Sequence, residues 1–121
     1  MLFRSAVVHG EIVLLPALMA LAQRERVDGR RFLAQLTASA DLICRLGRAT
    51  RAHSGWFYTS IHGVFAAAAG CAGLLGLKAE GIRDALGIAL FNVGGTQQSM
   101  VEKASTKRLM SAFAEIGRAH V

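Results

Sequence analysis

Proline and aromatic residues are scarce in this chain. Its 121 residues include one proline, one tryptophan, one tyrosine and six phenylalanines. Hydrophobic residues make up 53% of the sequence, and they recur at helical rather than alternating spacing, which argues against strands. We therefore predict an all-α architecture. The length suits one domain or a piece of one and is short for an enzyme with two lobes.

Cysteine is also rare, and neither cysteine lies in a metal-binding motif. Cys44 and Cys71 lack CxxC spacing and a nearby pair of histidines. They are typical of small buried thiols in a reducing compartment, and a disulfide or a metal site is the minority alternative.

Two apolar stretches, 2–23 and 61–77, are interrupted or too weakly apolar for a membrane span. We predict a cytoplasmic protein with no membrane partner.

Acidic residues are few, so the net charge is positive. Fourteen Lys and Arg against eight Asp and Glu give +6, a balance that suits nucleic acid, an acidic membrane surface or small polycarboxylates. The basic residues are scattered apart from a cluster at 24–31, in a predicted interhelix turn. No aromatic or Gly-Arg pattern accompanies that cluster, so we predict no nucleic-acid partner.

The stretch from His53 to Leu77 is the most distinctive. A loop with aromatics leads to Thr59 and Ser60, which we expect to cap a helix rich in alanine and glycine. Small residues recur on one face of this helix at spacings of three and four: Gly63, Ala66, Ala67, Gly70 and Gly73. The face indicates close helix packing. The functional alternative is that Tyr58, Thr59 and Ser60 hold a carboxylate or phosphate at the helix start.

Three further helices are predicted around this central one. The first begins near Pro16 and ends at about Glu25, with His9 and Glu11 in the segment before it. The second spans 30–48 after an Asp28 cap, with Phe32, Leu36, Ala40 and Ile43 inward and Gln35 outward. The last spans 79–93 and buries one face. Its buried residues are Ile82, Ala85, Leu86, Ala89, Leu90 and Val93.

A polar loop, 96–105, follows a pair of glycines and leads to Thr106 and Lys107. Such a lysine is commonly only exposed surface, and a lone histidine such as His9 is more often structural than catalytic. The functional alternative is a cleft shared by Lys107, the Tyr58 loop and His9. Periodicity does not show whether these three segments meet.

Four pieces of the chain occur in an order and spacing seen in a known family. They are HGEIVLLPALMALA at 9–22, GRRFLAQLTASADLICRLGRA at 29–49, GWFYTSIHGVFAAAAGCAGLLGL with GIRDALGIAL at 55–90, and STKRL at 105–109. Together they resemble the MmgE/PrpD family, which includes 2-methylcitrate dehydratase and cis-aconitate decarboxylase. The resemblance covers about Arg4 to Phe113.

The resemblance implies a fold and an activity. Family members are metal-independent enzymes without a cofactor, generally homodimers, with a large helical domain and a smaller α/β domain. Residues 1–114 would then be a partial helical bundle from a larger two-domain protein. The full-length parent is expected to be a lyase or isomerase acting on a small di- or tricarboxylate, and the fragment itself to be inactive, with exposed apolar faces.

The resemblance also implies the site residues. His9 matches the family's active-site histidine and Lys107 the lysine of its Thr-Lys motif, so both are expected to be catalytic. Elimination beside a carboxylate needs a base, an acid and cations that neutralise developing charge, which a histidine and a lysine can supply. Tyr58, Thr59, Ser60 and Thr106 are expected to bind the substrate.

The chain departs from the family pattern at three positions and at its end. Phe57 and Tyr58 stand where many members have His-Pro, and Met110 stands where a histidine often follows. These replacements favour an alternative, a non-catalytic helical binding or dimerisation module. His62 is expected to be a packed or exposed helix residue rather than a replacement. Residues 115–121 resemble translated sequencing adapter and are expected to be non-native.

Overall fold

The computed structural model describes residues 8–51, 55–110 and 112, and these residues form an all-α fold, as predicted. The α-helices are α1 (Glu11–Arg24), α2 (Gly29–Ala49), α3 (Tyr58–Leu74), α4 (Ala79–Leu90) and the short α5 (Gln98–Val101). A 3₁₀ helix follows at Ser105–Leu109. Extended pairing within this part of the chain is limited to one antiparallel bridge between Trp56 and Thr96.

Helix α3 is the centre of the bundle and packs against α1, α2 and α4. Its glycines allow this close approach, as the small-residue face predicts. A Cβ atom at Gly63 would lie 2.8 Å from Cγ1 of Val13, and one at Gly70 would lie 3.2 Å from Cδ2 of Leu18. Gln35 was predicted to face solvent, but it is half-buried because it lies against Gly73.

The core lies where α1, α2 and α3 meet. Its largest fully buried side chains are Val8, Val13, Leu14, Leu18, Ile43, Val64, Leu74, Thr59 and Ser60. Phe32, Leu36 and Ala40 pack against this core from α2, which confirms the inward face predicted for that helix. The predicted N-cap is also confirmed, since the Asp28 side chain accepts a hydrogen bond from the Arg31 amide at 3.0 Å.

The predicted start of the first helix is wrong. Helix α1 begins at Glu11, so Pro16 lies inside it and Glu11 occupies its first turn. The acidic side chain suits the positive end of the helix dipole. Proline removes the helical hydrogen bond to the carbonyl of Ile12, but Ile12 is exposed, so water can reach that side of the helix. The helix therefore tolerates the proline.

The prediction for the last long helix needs two corrections. Helix α4 ends at Leu90 rather than near Val93, and Leu90 is 63% exposed instead of buried. Of the six residues predicted to be buried, Ala89 is buried, Leu90 is exposed and the other four are half-buried. Among the described elements, α4 packs against α3 alone. Contact with this single helix covers only part of the apolar surface of α4. The following loop, predicted to be irregular, contains α5.

Apolar surface is exposed at the end of α4, in agreement with the expectation of uncovered faces. Phe91 is 91% exposed and Ile88 is 56% exposed. No helix in the described ranges is both long and apolar enough to cross a bilayer. The predicted non-native tail, 115–121, and His53 lie outside the described residues.

Candidate active site

The first turn of α3 is the point to which the predicted site segments are attached. The helix begins at Tyr58, and its N-cap is Phe57, which makes no side-chain capping bond. The expectation that Thr59 and Ser60 cap this helix is therefore wrong, because both lie within its first turn. Their side chains point into the protein, where each is 1% exposed.

Thr59 holds the segment that carries His9. The backbone amide of His9 donates a hydrogen bond to the Thr59 hydroxyl at 3.2 Å. Val8, directly before it, is buried in the core, whereas His9 itself is exposed. The segment is thus held by the His9 backbone bond and by the buried side chain of Val8. His9 itself lies exposed beside α3.

Ser60 holds the segment that carries Lys107. Its hydroxyl donates a hydrogen bond to the Met110 carbonyl oxygen at 3.1 Å, directly after the 3₁₀ helix. The Ser99 hydroxyl lies 2.8 Å from the Met110 sulfur, which ties α5 to the same point. Thr106 and Lys107 lie on the 3₁₀ helix and are exposed.

A third segment, after α4, pairs with the loop before α3. The Phe57 amide donates to the Gly95 carbonyl at 3.0 Å, and the Gln97 amide donates to the Gly55 carbonyl at 2.7 Å. Gly95 has a φ of 122°, and a Cβ atom there would lie 3.3 Å from Cβ of Ser60. Only glycine combines this backbone conformation with so close an approach to Ser60.

A shallow cleft of about 550 Å³ opens beside this pairing. Its lining residues are Gly55, Trp56, Thr96, Gln97, Gln98 and Val101. Neither His9 nor Lys107 lines it. The structure therefore attaches the His9 and Lys107 segments to consecutive residues of α3. The cleft itself is lined by neutral residues.

Tyr58 and His62 form a stacked pair that faces the end of α2. Their ring centroids are 5.4 Å apart and their planes differ by 7°. His62 is 7% exposed, so of the two expected alternatives it is the packed one, and its Nε2 lies 3.1 Å from the Thr50 hydroxyl oxygen. Burial lowers the pKa of His62 below the ordinary histidine value of 6.5. The imidazole is accordingly neutral over most of the physiological pH range.

Sequence reasoning missed the role of Thr50, although part of the signal was present. The spacing of four between Tyr58 and His62 places two rings on one helical face, so the stack could have been predicted. The Thr50 contact joins two helices and has no local signal.

Cys44 is the other titratable group with a shifted pKa. Burial raises the pKa of this thiol, and the nearby negative charges of Asp41 and Glu11 raise it further. The thiol is therefore protonated and unreactive at neutral pH. Within the described ranges, no three His, Cys, Asp or Glu residues lie close enough to hold a metal ion.

The described residues form an all-α bundle in which the central small-residue helix binds the backbones of the segments that carry His9 and Lys107. The sequence profile of the MmgE/PrpD N-terminal domain matches residues 2–119, and the chain belongs to the MmgE/PrpD family. This family is of the dehydratase and lyase type. The match overlaps the start of the predicted non-native tail, whose boundary stays a prediction.

A curated relative carries a more specific name. The chain is 34% identical to a cis-aconitate decarboxylase-like protein of Aspergillus oryzae, over 91% of this chain and 25% of that protein. The chain thus spans about a quarter of the length of this relative. No solved structure matches the chain.

Proposed function

We propose that this chain supplies part of the active site of a lyase- or isomerase-type enzyme that acts on a small di- or tricarboxylate. The observation that carries the proposal is the attachment of two segments to one helical turn. Thr59 binds the His9 backbone and Ser60 binds the Met110 backbone. These consecutive residues hold the predicted base and the segment of the predicted cation beside the same end of α3.

The chemistry assigned to these groups follows from their types. A proton next to a carboxylate is weakly acidic and needs a positioned base, and histidine is the side chain that most often fills this role, so His9 is proposed as the acid-base group. The Lys107 ammonium is proposed to neutralise carboxylate charge as it develops. Both side chains are exposed, so a substrate can reach them. The net charge of +6 also favours a polyanionic substrate.

The remaining predicted residues divide into two groups. Thr106 is exposed, so we propose that it contacts the substrate. Tyr58 is half-buried and its hydroxyl oxygen is enclosed, so we propose that its ring forms part of the wall of the substrate site. The Thr59 and Ser60 hydroxyls already bond to other segments of the chain. We propose that these two residues serve the site by holding it together.

The test is turnover of cis-aconitate, citrate and 2-methylcitrate by the full-length parent and two lysine variants. Lys107→Ala is expected to lower kcat by about 10²–10⁴-fold, the usual contribution of an acid-base or charge-stabilising group. Lys103→Ala is the matched control, because Lys103 is an exposed lysine just before the 3₁₀ helix. Equal activity of the two variants on a substrate that the parent converts would refute the role of Lys107.

The second candidate is a helical binding or dimerisation module without catalysis. It is favoured by the residues that replace the family's histidines. The Phe57 backbone pairs with Gly95, and Met110 bonds to Ser60 and Ser99, so both positions serve packing. Saturable binding of the same carboxylates by calorimetry without any turnover would favour this module. Sedimentation of the full-length parent tests the proposed homodimer.

A further inference from the structure

The replacement of His-Pro by Phe57 and Tyr58 introduces a phenol at the start of α3, and a neighbouring ring packs against this phenol. Tyr58 is the only tyrosine of the chain. Its ring lies nearly parallel to that of His62, one turn further along the helix, with centroids 5.4 Å apart. Spacing of four residues directs both side chains to one side of the helix. Contact with a second ring limits the orientations of the phenol.

His62 is itself held from outside α3. Thr50, the C-cap residue of α2, bonds its hydroxyl to the Leu46 carbonyl at 2.9 Å. That bond uses the only hydrogen of the hydroxyl, so the oxygen accepts a hydrogen bond from Nε2–H of His62 at 3.1 Å. The imidazole is therefore fixed by a residue from a different helix.

These contacts connect the end of α2 to the candidate site. Thr50 holds His62, and His62 stacks on Tyr58, which directly precedes the two residues that anchor the His9 and Lys107 segments. His62 is 7% exposed, so it is too enclosed to meet a substrate. Its contribution to the site is made through the ring that it touches.

We infer that His62 is a positioning residue for Tyr58: held by Thr50 at the end of α2, its imidazole sets the plane of the phenol beside the candidate site. The inference rests on the proposed function only in assigning Tyr58 to a substrate site. The positioning itself is a property of the folded chain and is measured separately.

The test uses the single tyrosine as a reporter. Incorporation of meta-fluorotyrosine gives one ring resonance in fluorine NMR. Thr50→Val removes the hydroxyl without touching Tyr58, and it is expected to shift and broaden this resonance. His62→Gln removes the stacked ring and is expected to move the resonance further, towards its position in the urea-unfolded chain.

Thr37→Val is the matched control. The Thr37 hydroxyl makes the same kind of bond within α2, to the Leu33 carbonyl at 2.8 Å, but the residue is exposed. This variant is expected to leave the fluorine resonance unchanged. If Thr50→Val and Thr37→Val give the same spectrum as the unchanged chain, the inference is wrong, whatever happens to His62→Gln.

Kinetics of the full-length parent separate this inference from the proposed function. Thr50→Val is expected to lower kcat by roughly 10-fold with a smaller change in KM, because misplacing a site group by a fraction of an ångström costs rate more than binding. A fluorine shift combined with no turnover of any carboxylate by the unchanged parent would support the positioning and overturn the enzyme proposal. Normal kcat in Thr50→Val, on a substrate that the parent converts, would overturn the functional part of the inference.

Discussion

Replacing Gly63 with alanine is expected to destabilise the chain, although alanine is the better helix former. The new methyl group would lie 2.8 Å from Cγ1 and 3.0 Å from Cβ of Val13. Ordinary contact begins at 3.4 Å, so Val13 must move away from α3 by a few tenths of an ångström. Rotation of Val13 does not relieve the clash, because its Cβ atom is fixed to the backbone.

The magnitude follows from two opposing effects. Overpacking of a close-packed core costs about 1–3 kcal/mol. Alanine regains about 1 kcal/mol of helix propensity relative to glycine. Gly87→Ala is the matched control, since Gly87 lies inside α4 and a Cβ atom there has nothing within 4 Å. The control is expected to gain about 1 kcal/mol, so the two variants should differ by about 1–3 kcal/mol.

Thermal unfolding followed by far-UV circular dichroism measures this difference. At roughly 4 °C per kcal/mol for a domain of this size, Gly63→Ala should melt about 4–12 °C below Gly87→Ala. Urea unfolding with equal slopes for both variants would show that the free energy of unfolding differs while the surface exposed on unfolding does not. If Gly63→Ala melts as high as Gly87→Ala, the close contact of α1 with α3 is not what limits stability.

Three further outcomes follow from single residues. The pKa of His62 is lowered in the folded chain, so just below pH 6.5 the unfolded chain binds more protons than the folded chain. The free energy of unfolding should therefore fall as the pH is lowered from 6.5 towards the pKa of the folded chain. The fall should be smaller in His62→Gln. Asp28→Ala should lower the free energy of unfolding by about 1 kcal/mol through loss of the bond to the Arg31 amide, whereas Asp28→Asn should lose little. Cys44 is 2% exposed, and burial and the charge of Asp41 raise its pKa. Mass spectrometry should therefore detect far slower alkylation of this thiol in the native chain than in urea. Equal rates would contradict its burial.

The features that were predicted correctly have local causes. The small-residue face of α3 is visible in the spacing of Gly63, Gly70 and Gly73, and the start of α2 is visible in Asp28, because packing periodicity and capping act within a few residues. The first helix was placed too late because Pro16 was interpreted as a start signal. The proline lies at an interior position instead, beside the exposed residue Ile12.

The features that were missed depend on distant parts of the chain. Leu90 is exposed because few described elements cover α4, which no pattern within that helix reveals. The site residues were assigned by resemblance, and their attachment to Thr59 and Ser60 joins segments that periodicity treats separately. The Thr50 contact with His62 is of the same kind. Local sequence sets each helix, while these contacts depend on how the helices are assembled.

The two bonds that hold the candidate site each join residues 50 positions apart, one on either side of the first turn of α3. Closing a loop of this length costs about 3–4 kcal/mol of chain entropy, and one hydrogen bond returns only about 1 kcal/mol. Packing of α1, α2 and α4 on α3 must therefore precede the site during folding. The 3₁₀ helix that carries Lys107 has no buried residue, so we expect this segment to detach on warming before the bundle unfolds. Loss of activity in the full-length parent should then come at a lower temperature than loss of helix.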